Sequence, residues 1–156
     1  MTVSVSEAHR RHSCSGLVAP LAQSVQSVFA TMLHMTPEPG SILPMSGGMT
    51  TFNLSVVVQL TGTCHAIVAI SFEERAALSI ASTLRVQQHS AVNDEVIDAI
   101  GEMGNLIVGH TRPRLPGPPT MSLPKVFVGR VSASRGPRLL IPYAAAIGDF
   151  TLEIGQ

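Results

Sequence analysis

One segment of the chain concentrates the side chains that could do chemistry: NDEVIDAIGEMGNLIVGH, residues 93–110. Four of the ten acidic residues of the chain lie within nine positions of it: Asp94, Glu95, Asp98 and Glu102. Its polar residues recur at steps of three, four and three, which places them on one helix face: Glu95, Asp98, Glu102 and Asn105. Carboxylates accept hydrogen bonds and a carboxamide both donates and accepts them, so this face offers a polar contact surface.

This arrangement destabilises an isolated helix. Like charges at these spacings cost about a few tenths of a kcal/mol per pair. Gly101 and Gly104, in mid-helix, each cost roughly 0.8–1 kcal/mol relative to Ala. Two interpretations explain the cost: the acids form a solvated face while the glycines let the helix pack tightly against the first helix, or Glu102 and Asn105 project from a shallow surface that another protein approaches closely.

The apolar residues of the same segment define the element that carries it. They recur at steps of four and three and predict a helix over 91–108 that lies on a sheet, with Gly109 past its end: Val92, Val96, Ile100, Met103 and Ile107. A second long helix is predicted over 20–34, with Pro20 in its first turn. Its buried face has the same spacing: Leu21, Val25, Val28 and Met32.

The remaining elements form a sheet and one more helix. Strict alternation predicts a half-buried strand over 51–60, a turn at Gly62, and a returning strand over 64–72. Ser71 and Glu74 have the spacing of a capping box, which predicts a helix that continues to Leu84. Further strands are expected at 122–129, 138–144 and 148–155.

The second half repeats the order of the first: helix, short extended piece, hairpin. Ser122-Leu123-Pro124 echoes Ser41-Ile42-Leu43-Pro44. We therefore expect an α/β (α+β) fold with a largely antiparallel sheet and two long helices on one side, built from pseudo-repeated halves.

Composition limits the class of protein. The 156 residues suffice for one domain, expected at 17–156 behind a mobile polar tail at 1–16 that includes His9–His12. Ten basic residues balance ten acidic ones, which argues against nucleic-acid binding. The longest obvious apolar run, Ala66–Ile70, predicts no membrane-spanning helix. The two cysteines, Cys14 and Cys64, are interpreted as reduced thiols in the cytoplasm.

Two further motifs carry no chemistry in our interpretation. Ser46–Thr51 resembles a phosphate loop but lacks the Gly-Lys-Ser/Thr ending, so it is expected to be a turn. Four histidines have no cysteine or carboxylate at metal-ligand spacing, and structural or surface roles are expected for them: His34, His65, His89 and His110.

The pattern of Asp98, Glu102 and Asn105 within DAIGEMGNLIVGH resembles the signature of the CheC and CheX chemotaxis phosphatases, most closely the single-site CheX-like type. The order of elements is similar too, with a hairpin turn at Gly62 before the motif and the strand LPKVFVG, residues 123–129, after it. The resemblance covers roughly residues 17–155.

The resemblance implies hydrolysis of the aspartyl phosphate on a receiver domain such as CheY. Glu102 would enter the receiver's active site and pair with its lysine, and Asn105 would orient the attacking water. Asp98, Gly101 and Gly104 would contact the partner. The chain would need no metal or other cofactor of its own, because magnesium resides on the receiver.

The resemblance also implies a homodimer formed through sheet edges. One active site is predicted, because no Asp or Glu occurs between Glu7 and Glu38 in the first helix. Two alternatives stay open: a non-catalytic CheX-like adaptor that binds a receiver or another signalling protein, and a purely structural subunit.

Overall fold

A computed structural model of the chain describes the backbone of residues 5–155 and the side chains of residues 16–155. Within these residues the helices are α1 (Val5–Leu33), α2 (Glu74–Arg85) and α3 (Asp94–Thr111), and a 3₁₀ turn (Arg112–Arg114) follows α3. The strands are β1 (Glu38–Pro39), β2 (Leu43–Ser46), β3 (Leu54–Thr61), β4 (Ala66–Phe72), β5 (Thr120–Met121), β6 (Lys125–Val128), β7 (Pro137–Ala144) and β8 (Phe150–Gly155). The side chains of the predicted tail, His9–His12 among them, lie outside the described residues.

The strands form one antiparallel sheet in the order β1-β7-β8-β4-β3-β5. β2 also pairs with β7, and β6 with β3, so the extended piece of each half pairs with the hairpin of the other half. The central contact between the halves is β4 against β8, from Ile67↔Gly155 to Phe72↔Phe150. This architecture confirms the predicted antiparallel sheet, the pseudo-repeated halves and the two long helices on one side.

The core lies between the sheet and the helices. Alternate residues of β3 are at most 3% exposed and form its inner face: Leu54, Val56, Val58 and Leu60. The ring of Phe150 in β8 stacks on Phe29 of α1 and on Tyr143 of β7, each at a centroid distance of 4.8 Å. The period of two in the strand sequence therefore selects the face on which α1 and α3 pack.

The start of α1 differs from the prediction. Pro20 lies inside the helix rather than in its first turn. The buried face continues one turn further towards the N-terminus, to Leu17, which is 1% exposed. Burying a leucine side chain stabilises by about 1.5–3 kcal/mol, which offsets much of the cost of an interior proline, about 3 kcal/mol.

The predicted capping box of α2 is wrong. Ser71 belongs to β4, where its hydroxyl accepts a hydrogen bond from the Phe52 N–H at 2.8 Å and one from the Ser55 hydroxyl at 3.0 Å. The N-cap is Glu73, with no hydrogen bond from its side chain to the helix. Its carboxylate accepts from the Asp149 N–H at 2.9 Å instead. The Ser71 hydroxyl is therefore used in hydrogen bonds to Phe52 and Ser55, and it does not cap α2.

The predicted end of α3 is also wrong. Gly109 lies inside the helix, which continues through Thr111. The Thr111 hydroxyl donates to the Ile107 carbonyl at 2.9 Å and contacts the Ser24 hydroxyl of α1 at 2.8 Å. A buried contact between the two long helices thus extends α3 beyond the glycine.

Within α1, Gly16–Leu33 is long and apolar enough to cross a membrane by length and composition, with a mean hydropathy of 1.3. The prediction from the sequence considered only uninterrupted apolar runs, whereas the mean hydropathy of Gly16–Leu33 as a whole meets this criterion, as the core helix of a folded domain also can. Its apolar side chains point into the core, where Leu21, Val25 and Phe29 are fully buried. Packing against the sheet accounts for the hydropathy of this helix.

Candidate functional site

The first turn of α3 defines where the helix begins. The Asn93 side chain caps the helix by accepting a hydrogen bond from the Val96 N–H at 3.0 Å. Asp94 and Glu95 follow, and acidic groups there complement the positive end of the helix dipole. The buried stripe predicted from the sequence faces the sheet, so Asp98, Glu102 and Asn105 are all exposed on the other side.

These three polar side chains share one groove. It is open, has a volume of about 420 Å³ and lies between α3 and the segment that leads into β6. Its lining residues are Ile97, Asp98, Gly101, Glu102, Asn105, Leu123, Pro124 and Val126. The structure therefore brings the predicted pair, Glu102 and Asn105, to one surface together with Asp98.

The two glycines of α3 have different surroundings. Gly101 is buried in the groove wall, where an added Cβ would lie 3.4 Å from Val126 Cγ2. Gly104 faces the sheet, and an added Cβ would lie 2.5 Å from Val56 Cγ2. Gly104 thus allows close packing of α3 against β3. This differs from both interpretations of the sequence, which expected packing against the first helix or a shallow exposed surface.

Glu102 has a partner that sequence analysis missed. Its Oε2 lies 3.3 Å from Nη2 of Arg85, the last residue of α2, and both side chains are partly exposed, at 45% and 36%. Such an exposed pair contributes about 0.2–1 kcal/mol, so it orients the carboxylate without locking it. No local spacing links residues on two different helices, so the sequence held no signal for this contact.

Asn105 is exposed, and within the described part of the chain its carboxamide makes no hydrogen bond. Both donors and both acceptor positions of the amide are thus available to water or a partner. The corresponding amides of α1 are engaged: Gln23 accepts from Arg114 at 2.7 Å and Gln26 donates to the Pro37 carbonyl at 2.8 Å. The described part of α1 has neither an acid nor a free amide pair.

Three of the four histidines are exposed: His34, His65 and His110. His89 is buried, and its Nε2 lies 3.5 Å from Oε2 of Glu95, so this histidine does face a carboxylate. Among the described residues, no three His, Cys, Asp or Glu side chains are grouped to hold a metal ion. A larger open cavity of about 640 Å³ lies along α2, away from the predicted site residues.

Comparison with known families decides what kind of protein has this geometry. Residues 54–142, more than half of the chain, match the family described as Chemotaxis phosphatase CheX. The chain belongs to the CheX family. That span includes all of α3, all the residues that line the groove, and the strands β3 and β6. No curated protein sequence matches this CheX family member.

Solved CheX structures share its fold. A chemotaxis protein CheX from Desulfovibrio desulfuricans has 23% identity and a TM-score of 0.80, over 89% of this chain and 97% of that chain. CheX from Vibrio vulnificus has 22% identity and a TM-score of 0.80, over 90% and 98%. A CheX–CheY–BeF3–Mg²⁺ complex from Borrelia burgdorferi has 22% identity and a TM-score of 0.72, over 89% and 96%. At these identities the likeness establishes the fold.

Proposed function

We propose that this CheX family member hydrolyses the aspartyl phosphate of a CheY-like receiver domain, in chemotaxis or another two-component pathway. The observation that supports the proposal is the exposed pair Glu102 and Asn105, side by side in one open groove on α3. A carboxylate and an amide three residues apart on a helix reach the same site on a partner.

The structure of the Borrelia burgdorferi complex joins a CheX to CheY with beryllofluoride, which stands in for the phosphoryl group, and magnesium. It supports a receiver as the partner of this chain as well. Magnesium on the receiver neutralises charge on the phosphoryl oxygens when it is bound. We therefore propose that the chain brings no cofactor of its own to the reaction.

Each site residue has one task in this proposal. Glu102 accepts a hydrogen bond from the receiver's lysine, which fixes the register of the two proteins. Asn105 holds a water molecule in line with the phosphorus–oxygen bond, using hydrogen bonds that do not depend on pH. An acyl phosphate is already activated, so a correctly placed nucleophile is the element that the phosphatase must supply.

Asp98 and Gly101 complete the contact surface in this proposal. Asp98 lies one helical turn before Glu102 and adds a second carboxylate to the groove. Gly101 leaves space in the groove wall that any side chain would occupy. We also propose a cytoplasmic homodimer that pairs through a sheet edge, because edge strands offer unpaired backbone groups to a second chain.

The test is the lifetime of a phosphorylated receiver with and without this protein. Asn105→Ala is expected to keep receiver binding and to lose about 100-fold or more in dephosphorylation rate, since a misplaced water costs that much. Gln88→Ala, which removes an exposed amide outside the groove, is the matched control. If Asn105→Ala still shortens the phosphoreceiver lifetime, the role of Asn105 is wrong. Binding without any shortening by the wild type would identify the adaptor instead.

A further inference from the structure

Two residues are the most exposed of the large hydrophobic residues in the described part of the chain, ahead of Val128 at 66%. Val86 is 90% exposed and Leu123 is 85% exposed. Leu123 lines the groove together with Glu102 and Asn105. Val86 directly follows Arg85, whose guanidinium pairs with Glu102. One exposed apolar residue therefore lies in the groove itself, and the other follows the arginine that pairs with Glu102.

Leu123 is presented on a fixed segment of backbone. The Ser122 N–H donates to the Gln59 carbonyl at 2.9 Å, and the Gln59 N–H donates to the Ser122 hydroxyl at 2.9 Å. Pro124 restricts the preceding residue to extended conformations. Both neighbours of Leu123 thus hold its side chain outward, so its exposure does not come from a loosely attached loop.

Val86 is exposed at an energetic cost. It caps α2 in the left-handed conformation, at φ 51°, with its N–H bonded to the Ser82 carbonyl. This conformation is unfavourable for a β-branched residue, and glycine is the usual residue at such a cap. Gln87 and His89 also donate backbone hydrogen bonds to Ser82, which fixes the turn. The valine side chain gains no burial in return for this strain.

We propose that Leu123, in the groove with Glu102 and Asn105, and Val86, at the end of α2 next to Arg85, are apolar anchors of the surface that docks the receiver. This inference rests on the proposed function and extends it to what the phosphatase recognises. Apolar side chains that become buried at an interface contribute binding free energy, while complementary charges fix its register.

Charge identifies the occupant of this surface. A second copy of the chain, docked with its two-fold axis at the centre of this surface, would bring the acidic pair Asp98 and Glu102 close to the same pair of its partner, and like charges across an interface oppose association. A receiver that offers a lysine to Glu102 is complementary at the centre, and its apolar surface meets the two anchors. The surface thus fits a protein with a cation surrounded by apolar side chains.

The chain contains a matched control for Leu123. Leu43 also precedes a proline, is 45% exposed and begins β2, which pairs with β7 as β6 pairs with β3. The groove that Asp98, Glu102 and Asn105 share with Leu123 is not lined by Leu43. A general effect of truncating an exposed leucine at a sheet edge will therefore appear in Leu43→Ala as well.

The experiment measures dephosphorylation at varied concentrations of phosphorylated receiver. Leu123→Ala is expected to raise KM by about 10- to 60-fold at unchanged kcat, where the upper value is the fold-change for removing three fully buried methylene-sized groups. Val86→Ala is expected to raise KM by about 3- to 15-fold, because it removes two such groups. Leu43→Ala is expected to leave KM unchanged, and thermal unfolding verifies that all three variants fold.

An unchanged KM for Leu123→Ala, an equal increase for Leu43→Ala, or a loss confined to kcat would each overturn the inference. Binding of the beryllofluoride form of the receiver to wild type and Leu123→Ala separates this inference from the proposed function. If the wild type binds but does not hydrolyse, the phosphatase proposal fails while the ratio of the two Kd values still tests the anchor.

Discussion

Substituting alanine for Gly104 tests how α3 is seated on the sheet. An added Cβ would lie 2.5 Å from Cγ2, 2.7 Å from Cγ1 and 3.2 Å from Cβ of Val56. Carbon atoms in good contact are about 3.5–4.0 Å apart, so both methyl groups of Val56 obstruct the new atom. Gly109, in the same helix, provides the control because an added Cβ there meets nothing within 4 Å.

Two opposing terms determine the result. Alanine gains about 0.8–1 kcal/mol over glycine in a helix interior at either position. Overpacking a core costs about 1–3 kcal/mol, and contact with three atoms of one rigid side chain points to the upper end. We expect Gly104→Ala to lower the free energy of unfolding by about 2 kcal/mol and Gly109→Ala to raise it by about 1 kcal/mol.

Urea unfolding followed by circular dichroism measures both changes, provided that the slope of the transition stays constant. In thermal unfolding the difference between the two variants is about 6–12 °C for a domain of this size. A Gly104→Ala variant as stable as Gly109→Ala would refute the proposed packing. Val56→Ala supplies a second test, because the cost of Gly104→Ala should shrink in that background. If the two costs simply add, Val56 is not the obstruction.

Three further predictions concern stability and ionisation. Val86→Asn should raise the free energy of unfolding by about 0.5–1 kcal/mol in urea unfolding, because asparagine tolerates the left-handed conformation and little burial is lost; an unchanged or lower value would contradict the strain at Val86. Glu153→Gln should lower it by about 3–5 kcal/mol, because the Arg138 guanidinium, 6% exposed, would keep its charge without its carboxylate partner; a loss below about 1 kcal/mol would show that this pair is dispensable. Burial raises the pKa of Tyr143 above its ordinary value, so tyrosinate absorbance should appear at higher pH in the folded protein than in denaturant. The stability that this difference contributes is complete below about pH 10 and is lost as the pH rises through the folded-state pKa. Tyr143 is the single tyrosine of a chain without tryptophan, so coincident folded and unfolded titrations would refute its burial.

Periodicity predicted the polar face of α3 and the pairing of β3 with β4, because both patterns are local. The same periodicity placed Glu102 and Asn105 on one surface, which the groove confirms. It could not predict that Arg85 meets Glu102, since the contact depends on how α2 packs against α3. The spacing of Ser71 and Glu74 predicted a helix cap, whereas in the folded sheet the Ser71 hydroxyl is bonded to Phe52 and Ser55.

Within α3, the sequence identified both glycines as costly but could not assign their roles. A glycine is needed at position 104 because Val56 of β3 occupies the space for a side chain. Whether a helix approaches a strand that closely depends on the assembled sheet, which no spacing within the helix encodes. Leu17 was missed for a different reason: it directly follows the polar stretch 1–16, and Pro20 indicated that the helix starts after it.

The exchange of extended pieces between the two halves governs how the chain can fold during synthesis. β2 completes its ladder only with β7, and the hairpin of β3 and β4 receives β6 at its outer edge. The first half therefore leaves the ribosome with an apolar hairpin and an unpaired strand, and its native partners follow only when nearly the whole chain has been made. Distant pairings of this kind close late and slow the folding of a domain. Separate expression of either half should give an aggregating fragment, whereas co-expression should restore the fold in one noncovalent unit, because each half carries the strand that the other lacks.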